Sequence, residues 1–122
     1  MEFELQGSMP IWQQLADRLR ERIVTGEYVP GQRFPSVRDL AAEAGVNPNT
    51  MQRALTQLES DGLLLNNRTS GRTVTEDESV LETMRLALAR EEIRAFYKKM
   101  DALGFDRGEA AALVREGEEN VQ

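Results

Sequence analysis

The sequence predicts a mainly α-helical fold with one small β-hairpin, and three observations support this. Two short helical patterns, residues 36–44 and 47–60, are joined at Gly45 and together describe a helix-turn-helix. A strand pattern with a polar turn, residues 63–75, follows at once and reads as a hairpin, which in this position is a wing. A longer helical pattern then fills residues 80–119. We therefore expect a winged helix-turn-helix domain followed by a helical tail.

The first helix is predicted over residues 10–25, because Pro10 stands at its start and Gly26 fits its end. One apolar stripe runs along it: Trp12, Leu15, Ala16, Leu19 and Ile23. We expect Trp12 to lie in the core or in an interface rather than to stack on a base or ligand. Before this helix, residues 1–8 alternate apolar and acidic side chains, which indicates either a short edge strand or ordered arm, or a frayed terminus.

The stretch from Gly45 to Gly62 has the clearest functional pattern. Gly45 fits a left-handed helix stop, Asn47 an N-cap, and Pro48 the first helical position. The apolar face repeats at i, i+3, i+4 and i+7: Met51, Ala54, Leu55 and Leu58. The other face is polar with little net charge, and it suits hydrogen bonds to base edges and phosphates: Asn49, Thr50, Gln52, Arg53, Thr56 and Gln57. An ordinary polar helix surface is the alternative for this stretch taken alone.

The flanking elements favour the DNA-binding interpretation. Ser36 is the predicted N-cap of the helix at residues 36–44, and Asp39, three residues later, forms a near capping box with it. Arg38 faces outward on this helix. In the hairpin, strands are predicted at residues 63–65 and 73–75. Arg68 and Arg72 flank the tip, which contains Ser70-Gly71. Such a tip would touch neighbouring phosphates or the minor groove, whereas a plain surface hairpin is the alternative.

Composition excludes several classes of function. The 122 residues include no cysteine and no histidine, so disulfides and thiolate metal sites are excluded and the commonest general base is missing. We therefore expect neither an enzyme nor a metal or cofactor. No apolar run approaches the roughly 18 residues of a membrane span, and no secretory signal peptide is apparent. We expect a cytoplasmic protein without a membrane partner.

The net charge of −6 argues at first against a nucleic-acid partner, but it is unevenly distributed. Residues 1–75 hold 8 basic and 9 acidic side chains, whereas residues 76–122 hold 7 and 12. Between residues 33 and 73 there are 5 basic and 4 acidic side chains, a net charge of +1. Charges beyond about 8–10 Å are screened at ordinary salt, so a basic surface here must be local.

The tail is expected to form a second functional segment, residues 76–122, after a DNA-binding segment of residues 1–75. It begins with an acidic junction, continues as a long helix with a break expected near Arg90, and ends in a helix capped by Asp106 and Glu109. Eight large apolar side chains lie along it, each worth about 1.5–3 kcal/mol when buried: Leu81, Met84, Leu88, Ile93, Phe96, Tyr97, Met100 and Leu103. We predict that they pair two subunits in a symmetric dimer, the alternative being packing on the first helix of the same chain.

Residues 10–64 resemble the winged-helix domain of GntR-family bacterial transcription regulators. The run PGQRFPSVRDLA followed by GVNPNT is specific, because several motifs fall in register. The short helical tail is similar to that of the YtrA-type subfamily. The resemblance implies a homodimer that binds an inverted repeat, with the tail as dimerisation element, and it implies repression of neighbouring transporter genes.

The resemblance also implies roles for single residues. Arg38 stands where the family usually places an arginine on bases or phosphates, and Gly71 stands at the wing glycine. Four further residues fall at recognition-helix contact positions: Asn47, Asn49, Thr50 and Gln52. Two positions depart from the family, since Pro48 replaces a frequent arginine and Thr69 a frequent wing glycine.

We therefore predict a sequence-specific DNA-binding transcriptional repressor. Its DNA-binding residues are predicted to be Arg33, Ser36, Arg38, Asn47, Asn49, Thr50, Gln52, Arg53, Arg68, Gly71 and Arg72. The rival hypothesis is a winged-helix adapter that binds proteins, which the negative charge would suit, but an adapter has no need of arginines on three DNA-facing elements. The predicted partners are double-stranded DNA, a second copy of the chain, and a small-molecule effector of unidentified kind, for which a pocket at the dimer interface near Trp12 or Phe96 is left open.

Overall fold

A computed structural model describes residue 3, residue 5 and residues 7–120 of the chain. The fold is mainly helical with one small antiparallel sheet, as predicted. Its elements are α1 (Ile11–Val24), α2 (Val37–Ala44), α3 (Pro48–Ser60), β1 (Leu64–Asn67), β2 (Gly71–Val74), α4 (Glu78–Ala102) and α5 (Arg107–Asn120). The chain divides into two compact units, Met1–Arg85 and Leu86–Gln122. None of the described helices has both the length and the apolarity of a membrane-spanning segment.

The first unit is built on one apolar core that lies between α1, α2, α3 and the hairpin. Its fully buried large side chains are Leu15, Leu19, Ile23, Leu40, Met51, Leu55, Leu58, Leu63, Leu64 and Val74. Burying each contributes about 1.5–3 kcal/mol, so the apolar faces of the three helices determine how they pack. The hairpin closes the core, because β1 and β2 bring their leucine and valine ends under the helices.

The predicted helix ends are confirmed by their hydrogen bonds. Ser36 Oγ accepts a bond from the Asp39 N–H at 3.1 Å, and Asn47 Oδ1 accepts one from the Asn49 N–H at 2.7 Å. Between the two helices Gly45 has φ +69°, a left-handed conformation that glycine adopts without strain. These caps fix the turn between α2 and α3, and with it the direction in which α3 leaves the core.

The wing differs in extent from the prediction. β1 and β2 pair with Leu64 opposite Val74 and Asn67 opposite Gly71, so the strands reach further toward the tip than residues 63–65 and 73–75. The sequence predicts a turn over the whole polar run, but in the structure Asn67 continues the ladder and its Nδ2 donates to Thr73 Oγ1 at 2.8 Å. The turn is therefore limited to residues 68–70.

The connector between α1 and α2, residues 25–36, is held against the wing by backbone hydrogen bonds. Arg33 forms an isolated antiparallel bridge with Thr73, and the Phe34 N–H donates to the Arg72 carbonyl at 2.8 Å. The connector therefore lines the open side of β2 and fastens the wing to the segment that leads into α2.

The N-terminal prediction can be followed only in part, since Met1, Glu2, Glu4 and Gln6 lie outside the described residues. Phe3 and Leu5 are half-buried and pack against the core. No strand is present at residues 3, 5, 7 or 8, the part of this segment that the structure describes.

The tail contains the two predicted helices, but α4 runs without a break through Arg90. Its first turns belong to the first unit, where Val80, Leu81 and Met84 lie half-buried against the core. The cap of α5 is the predicted one. Asp106 Oδ1 accepts from the Glu109 N–H at 2.8 Å, while the Asp106 N–H donates to Glu109 Oε1 at 3.0 Å. The functional division at residue 75 stays a prediction.

A buried arginine, not singled out in the sequence, ties α1 to α2. Arg22 is 2% exposed, and its guanidinium lies 3.3 Å from carboxylate oxygens of both Glu27 and Glu43. Burial alone would lower the pKa of Arg22, but the hydrogen bond to Tyr28 and the charge of Glu43 outweigh it and leave the pKa raised. The ring of Phe3 covers the guanidinium, with its centroid 4.3 Å away. Arg22 is therefore a charged group enclosed by its partners.

We expect Arg22→Met to lower the free energy of unfolding by about 1–3 kcal/mol, because it removes several buried hydrogen bonds. The two carboxylates it leaves are 40% and 49% exposed and stay hydrated, which limits the loss. Urea unfolding followed by circular dichroism measures the change. Arg18→Met is the control, since the Arg18–Glu21 pair is exposed and should matter by less than about 0.5 kcal/mol. Equal midpoints for the two variants would contradict the assigned role.

The start of α4 should be sensitive to acid. Asp77 Oδ1 accepts from the Ser79 hydroxyl at 2.7 Å and from the Ser79 N–H at 2.9 Å, and these bonds lower the pKa of Asp77 from its ordinary 3.8. A lowered carboxyl pKa stabilises the fold above 3.8, and the contribution is lost as the pH falls through the folded-state value. The melting temperature of Asp77→Ala should therefore lie below that of the wild type at neutral pH. The difference between the two melting temperatures should decrease as the pH is lowered. Thermal unfolding at several pH values measures both temperatures. A difference that increases when the pH falls below 3.8 would contradict this role of Asp77.

Candidate nucleic-acid interface

The polar face of α3 is exposed because its apolar face is entirely used by the core. Asn49, Gln52, Arg53 and Thr56 are exposed along one row, and Thr50 beside them is half-buried. Thr56 Oγ1 donates to the Gln52 carbonyl at 3.0 Å, so its hydroxyl is partly engaged within the helix. The amides of Asn49 and Gln52 can both donate and accept, which is the chemistry that reads an adenine edge in the major groove.

Two of the predicted DNA-binding residues also hold the helix ends. Ser36 and Asn47 are exposed, and each uses its side-chain oxygen to accept a backbone N–H. Ser36 keeps its hydroxyl proton and Asn47 keeps its amide N–H groups, so both can still donate to a phosphate oxygen. Their substitution would therefore change the helix ends together with any DNA contact.

The arginines of residues 1–75 fall into two groups of four. One group is neutralised within the chain: Arg18 by Glu21, Arg20 by Asp17 and Asp61, Arg22 by Glu27 and Glu43, and Arg72 by Glu59. The other group is exposed and forms no ion pair with any residue that the structure describes: Arg33, Arg38, Arg53 and Arg68. All four were predicted to bind DNA. Six carboxylates of residues 1–75 thus lie against other arginines, whereas Asp39 pairs with no described arginine.

The four uncompensated arginines come from four successive elements. Arg33 lies in the connector, Arg38 in α2, Arg53 in α3 and Arg68 in the turn of the wing. A phosphate backbone that passes these elements would meet positive charge even though residues 1–75 have a net charge of −1.

Arg72 differs from Arg68 in its surroundings. Its Nε lies 2.6 Å from Glu59 Oε1, and the two side chains are only 16% and 25% exposed. This ion pair joins β2 to the last turn of α3, so it fixes the wing relative to the recognition helix. The sequence pattern did not reveal Glu59, because the two partners are 13 residues apart. A phosphate contact by Arg72 stays a prediction.

Several predicted residues line one shallow groove beside the wing. Its volume is about 230 Å³, and its walls include Arg33, Ser36, Gly71 and Arg72. Gly71 has φ +72°, which suits glycine at the point where the turn re-enters β2. The fold thus brings together residues from the connector, the start of α2 and the wing.

Trp12 was expected in the core or in an interface. It is half-buried and is not part of the core cluster, so the core alternative is wrong and the interface alternative stays a prediction. Its indole ring is covered on one side by Arg53, whose guanidinium carbon is 4.4 Å from the ring centroid. The remaining members of the stripe are buried as expected.

The predicted dimer residues are distributed over both units. Leu81 and Met84 are already half-buried against their own core. In the second unit Ile93, Phe96 and Leu103 are 54%, 38% and 72% exposed, while three others are half-buried: Leu88, Tyr97 and Met100. Four further exposed apolar side chains of this unit were not singled out in the sequence: Leu86 in α4, Phe105 between α4 and α5, and Leu113 and Val114 in α5. The adjacent apolar residues Leu113 and Val114 were a signal for the last two. The second unit thus has a large uncovered apolar surface.

Comparison with known proteins agrees with this geometry. The family described as "Bacterial regulatory proteins, gntR family" matches residues 11–74. The uncharacterized HTH-type transcriptional regulator YhcF of Bacillus subtilis is 36% identical over 109 residues, which cover 89% of this chain and 90% of YhcF. The HTH-type transcriptional repressor YtrA of the same organism is 28% identical over 95 residues, covering 77% of this chain and 73% of YtrA.

Solved structures share the fold, and two of them include operator DNA. A GntR-family transcriptional regulator from Listeria monocytogenes superposes with a TM-score of 0.79 at 33% identity, covering 92% of this chain and 98% of that one. The DNA-binding domain of AraR in complex with operator ORX1 has a TM-score of 0.55 at 27% identity, covering 62% of this chain and 99% of that domain. The chain therefore belongs to the GntR family of bacterial regulatory proteins, and it is a transcriptional regulator with a winged-helix DNA-binding domain.

Proposed function

We propose that this regulator is a cytoplasmic repressor that binds an inverted-repeat operator as a homodimer. The observation that carries the proposal is that some arginines form ion pairs within the chain and others do not. Of the arginines in residues 1–75, four are neutralised within the chain. The other four form no ion pair with any described residue, and they lie on α3 itself, the connector, α2 and the turn of the wing. An adapter that binds proteins would gain nothing from leaving these four charges uncompensated on consecutive elements.

The proposed interface divides the contacts by chemistry. Asn49 and Gln52 read base edges from the exposed row of α3, with Thr50 beside them, because amides and hydroxyls distinguish bases in the major groove. Arg33, Arg38 and Arg68 bind phosphates or the minor groove from the flanks, where positive charge gives affinity without sequence preference. This division assigns specificity to α3 and most of the affinity to the elements around it.

The homodimer is supported by the uncovered apolar surface of the second unit. Exposed patches beyond a few hundred Å² are uncommon on monomers, and a two-fold interface would cover them. Two joined winged domains then require two half-sites in inverted orientation. The relative YtrA bears the name of a repressor, and this supports repression here. Control of a neighbouring transporter operon rests on the YtrA-type resemblance, and the small-molecule effector stays a prediction.

Selection of bound fragments from randomised and genomic DNA by the purified chain tests the proposal. We expect enrichment of an inverted repeat whose half-site centres lie about 10 base pairs, or a multiple, apart. Transcription from the selected promoter should fall when the protein is added. Recovery of no common sequence would overturn the proposed operator, and recovery of single half-sites would overturn the homodimer.

The wing arginine should act on all DNA alike. Arg68→Ala should weaken binding to operator and non-operator DNA by the same factor and reduce the slope of log K against log salt by about one unit. Titrations at several salt concentrations measure the slope. Arg18→Ala is the matched control, since Arg18 is already paired with Glu21. Arg72→Ala is measured in parallel. A phosphate contact by Arg72 predicts the same loss of slope, whereas a purely structural role predicts a lower free energy of unfolding with an unchanged slope.

Base readout should be confined to the row of α3. Asn49→Ala or Gln52→Ala should relax preference at one base pair in each half-site, at a cost of about 1–3 kcal/mol for the preferred base. Repeating the DNA selection with each variant measures the change. Glu59 and Ser60 lie at the far end of α3, and Ser60→Ala serves as a control on the same helix. An unchanged sequence preference in both variants would place the reading surface elsewhere.

Pairing through the second unit should be sensitive to charge. Phe96→Glu or Leu103→Glu puts a carboxylate into the exposed apolar surface. Dimer formation would bury this carboxylate without a charge partner, which is costly. We expect the wild type to sediment at twice the chain mass at micromolar concentration and these variants to sediment as monomers. Ala102→Glu, at the end of α4, is a control for the added charge. A monomeric wild type would contradict the proposed assembly.

A further inference from the structure

The stack of Arg53 on Trp12 joins the recognition helix to α1 at a point outside the core. The guanidinium carbon lies 4.4 Å from the centroid of the indole ring, within the range of a cation–π contact. Arg53 is exposed, and Trp12 is half-buried. The two helices are already held together by buried leucines, so the stack adds a restraint on one side chain rather than a core contact.

The position of Arg53 on α3 suggests what this restraint is for. At about 100° per residue, Gln52 lies about 60° to one side of Asn49 and Arg53 about 40° to the other. The contact with Trp12 shows that the Arg53 side of the row is the one that faces α1. Arg53 therefore lies on a flank of the reading surface, and flanks of a recognition helix in the major groove adjoin the phosphate backbone.

Stacking leaves a guanidinium able to bind an anion. Its five N–H donors point outward in the plane of the group, whereas the ring contacts only its face. The arginine side chain has several rotatable bonds, and holding it in one orientation before binding reduces the entropy lost on binding. No carboxylate among the described residues pairs with Arg53, so its charge is uncompensated.

We propose that Trp12 is a positioning residue for DNA binding, which holds Arg53 flat against α1 and presents its N–H edge to a backbone phosphate. The inference rests on the proposed function, because it needs α3 to lie against DNA. It extends that function to a residue of α1, an element that the sequence assigned to the core.

The test is a double-mutant cycle on DNA affinity with the full chain, using the operator obtained by selection and a non-operator duplex. Arg53→Ala should reduce the salt slope by about one unit on both. Trp12→Leu should weaken binding about two- to tenfold while Arg53 is present, and should have no further effect in the Arg53→Ala background. Trp12→Phe keeps an aromatic face and should restore most of the affinity.

A second measurement reports the stack without requiring a variant of Trp12. Trp12 is the single tryptophan of the chain, so its fluorescence is unambiguous. Arg53→Ala uncovers one face of the ring to water and should shift the emission of the free protein to longer wavelength. Arg38→Ala removes an equally exposed arginine on α2 and should leave the emission unchanged.

The outcomes separate this inference from the function on which it rests. If the wild type selects an operator but Trp12→Leu weakens binding equally with and without Arg53, Trp12 acts only on the fold and the inference is wrong. If the wild type selects an operator but Arg53→Ala retains the full salt slope, Arg53 binds no phosphate and the inference is again wrong. If the wild type selects no sequence, the proposed operator binding itself is overturned.

Discussion

Burial of the apolar face of α3 is the constraint on which the rest of the structure depends. Met51, Ala54, Leu55 and Leu58 are fully buried against α1 and α2, so only one orientation of the helix is compatible with the core. The polar row follows from that orientation, because the helical repeat places Asn49, Gln52, Arg53 and Thr56 opposite the buried residues. The same helix thus contributes to the stability of the core and carries the polar row proposed to read DNA.

The local charge of this protein depends on which arginines are paired with carboxylates rather than on the net charge of the chain. A net charge of −6 would repel a duplex at long range, but screening limits the influence of distant carboxylates to about 8–10 Å. Within residues 1–75, acidic side chains lie against Arg18, Arg20, Arg22 and Arg72, and the other four arginines form no ion pair with any described residue. An acidic regulator can therefore have a locally basic surface, and bulk composition is a poor guide to it.

Features that depend on neighbouring residues were predictable from the sequence, whereas those that depend on distant ones were not. The caps at Ser36, Asn47 and Asp106 follow from side-chain bonds within three residues, and the structure has them. The Glu59–Arg72 pair and the stack of Arg53 on Trp12 join residues 13 and 41 positions apart along the chain, so no local pattern indicates them. The continuity of α4 through Arg90 was missed because exposed helix positions accept polar residues without a periodic signal.

The hairpin of the wing has one side that nothing in the described chain occupies. β2 is lined on its outer side by Arg33 of the connector, whereas β1 pairs only with β2 in the part of the chain that the structure describes. Its open edge is four residues long and ends in two asparagines, which have low strand propensity. So short an edge offers few backbone groups for pairing with another chain. The tip of the wing can therefore project from the core with little risk of edge-to-edge aggregation.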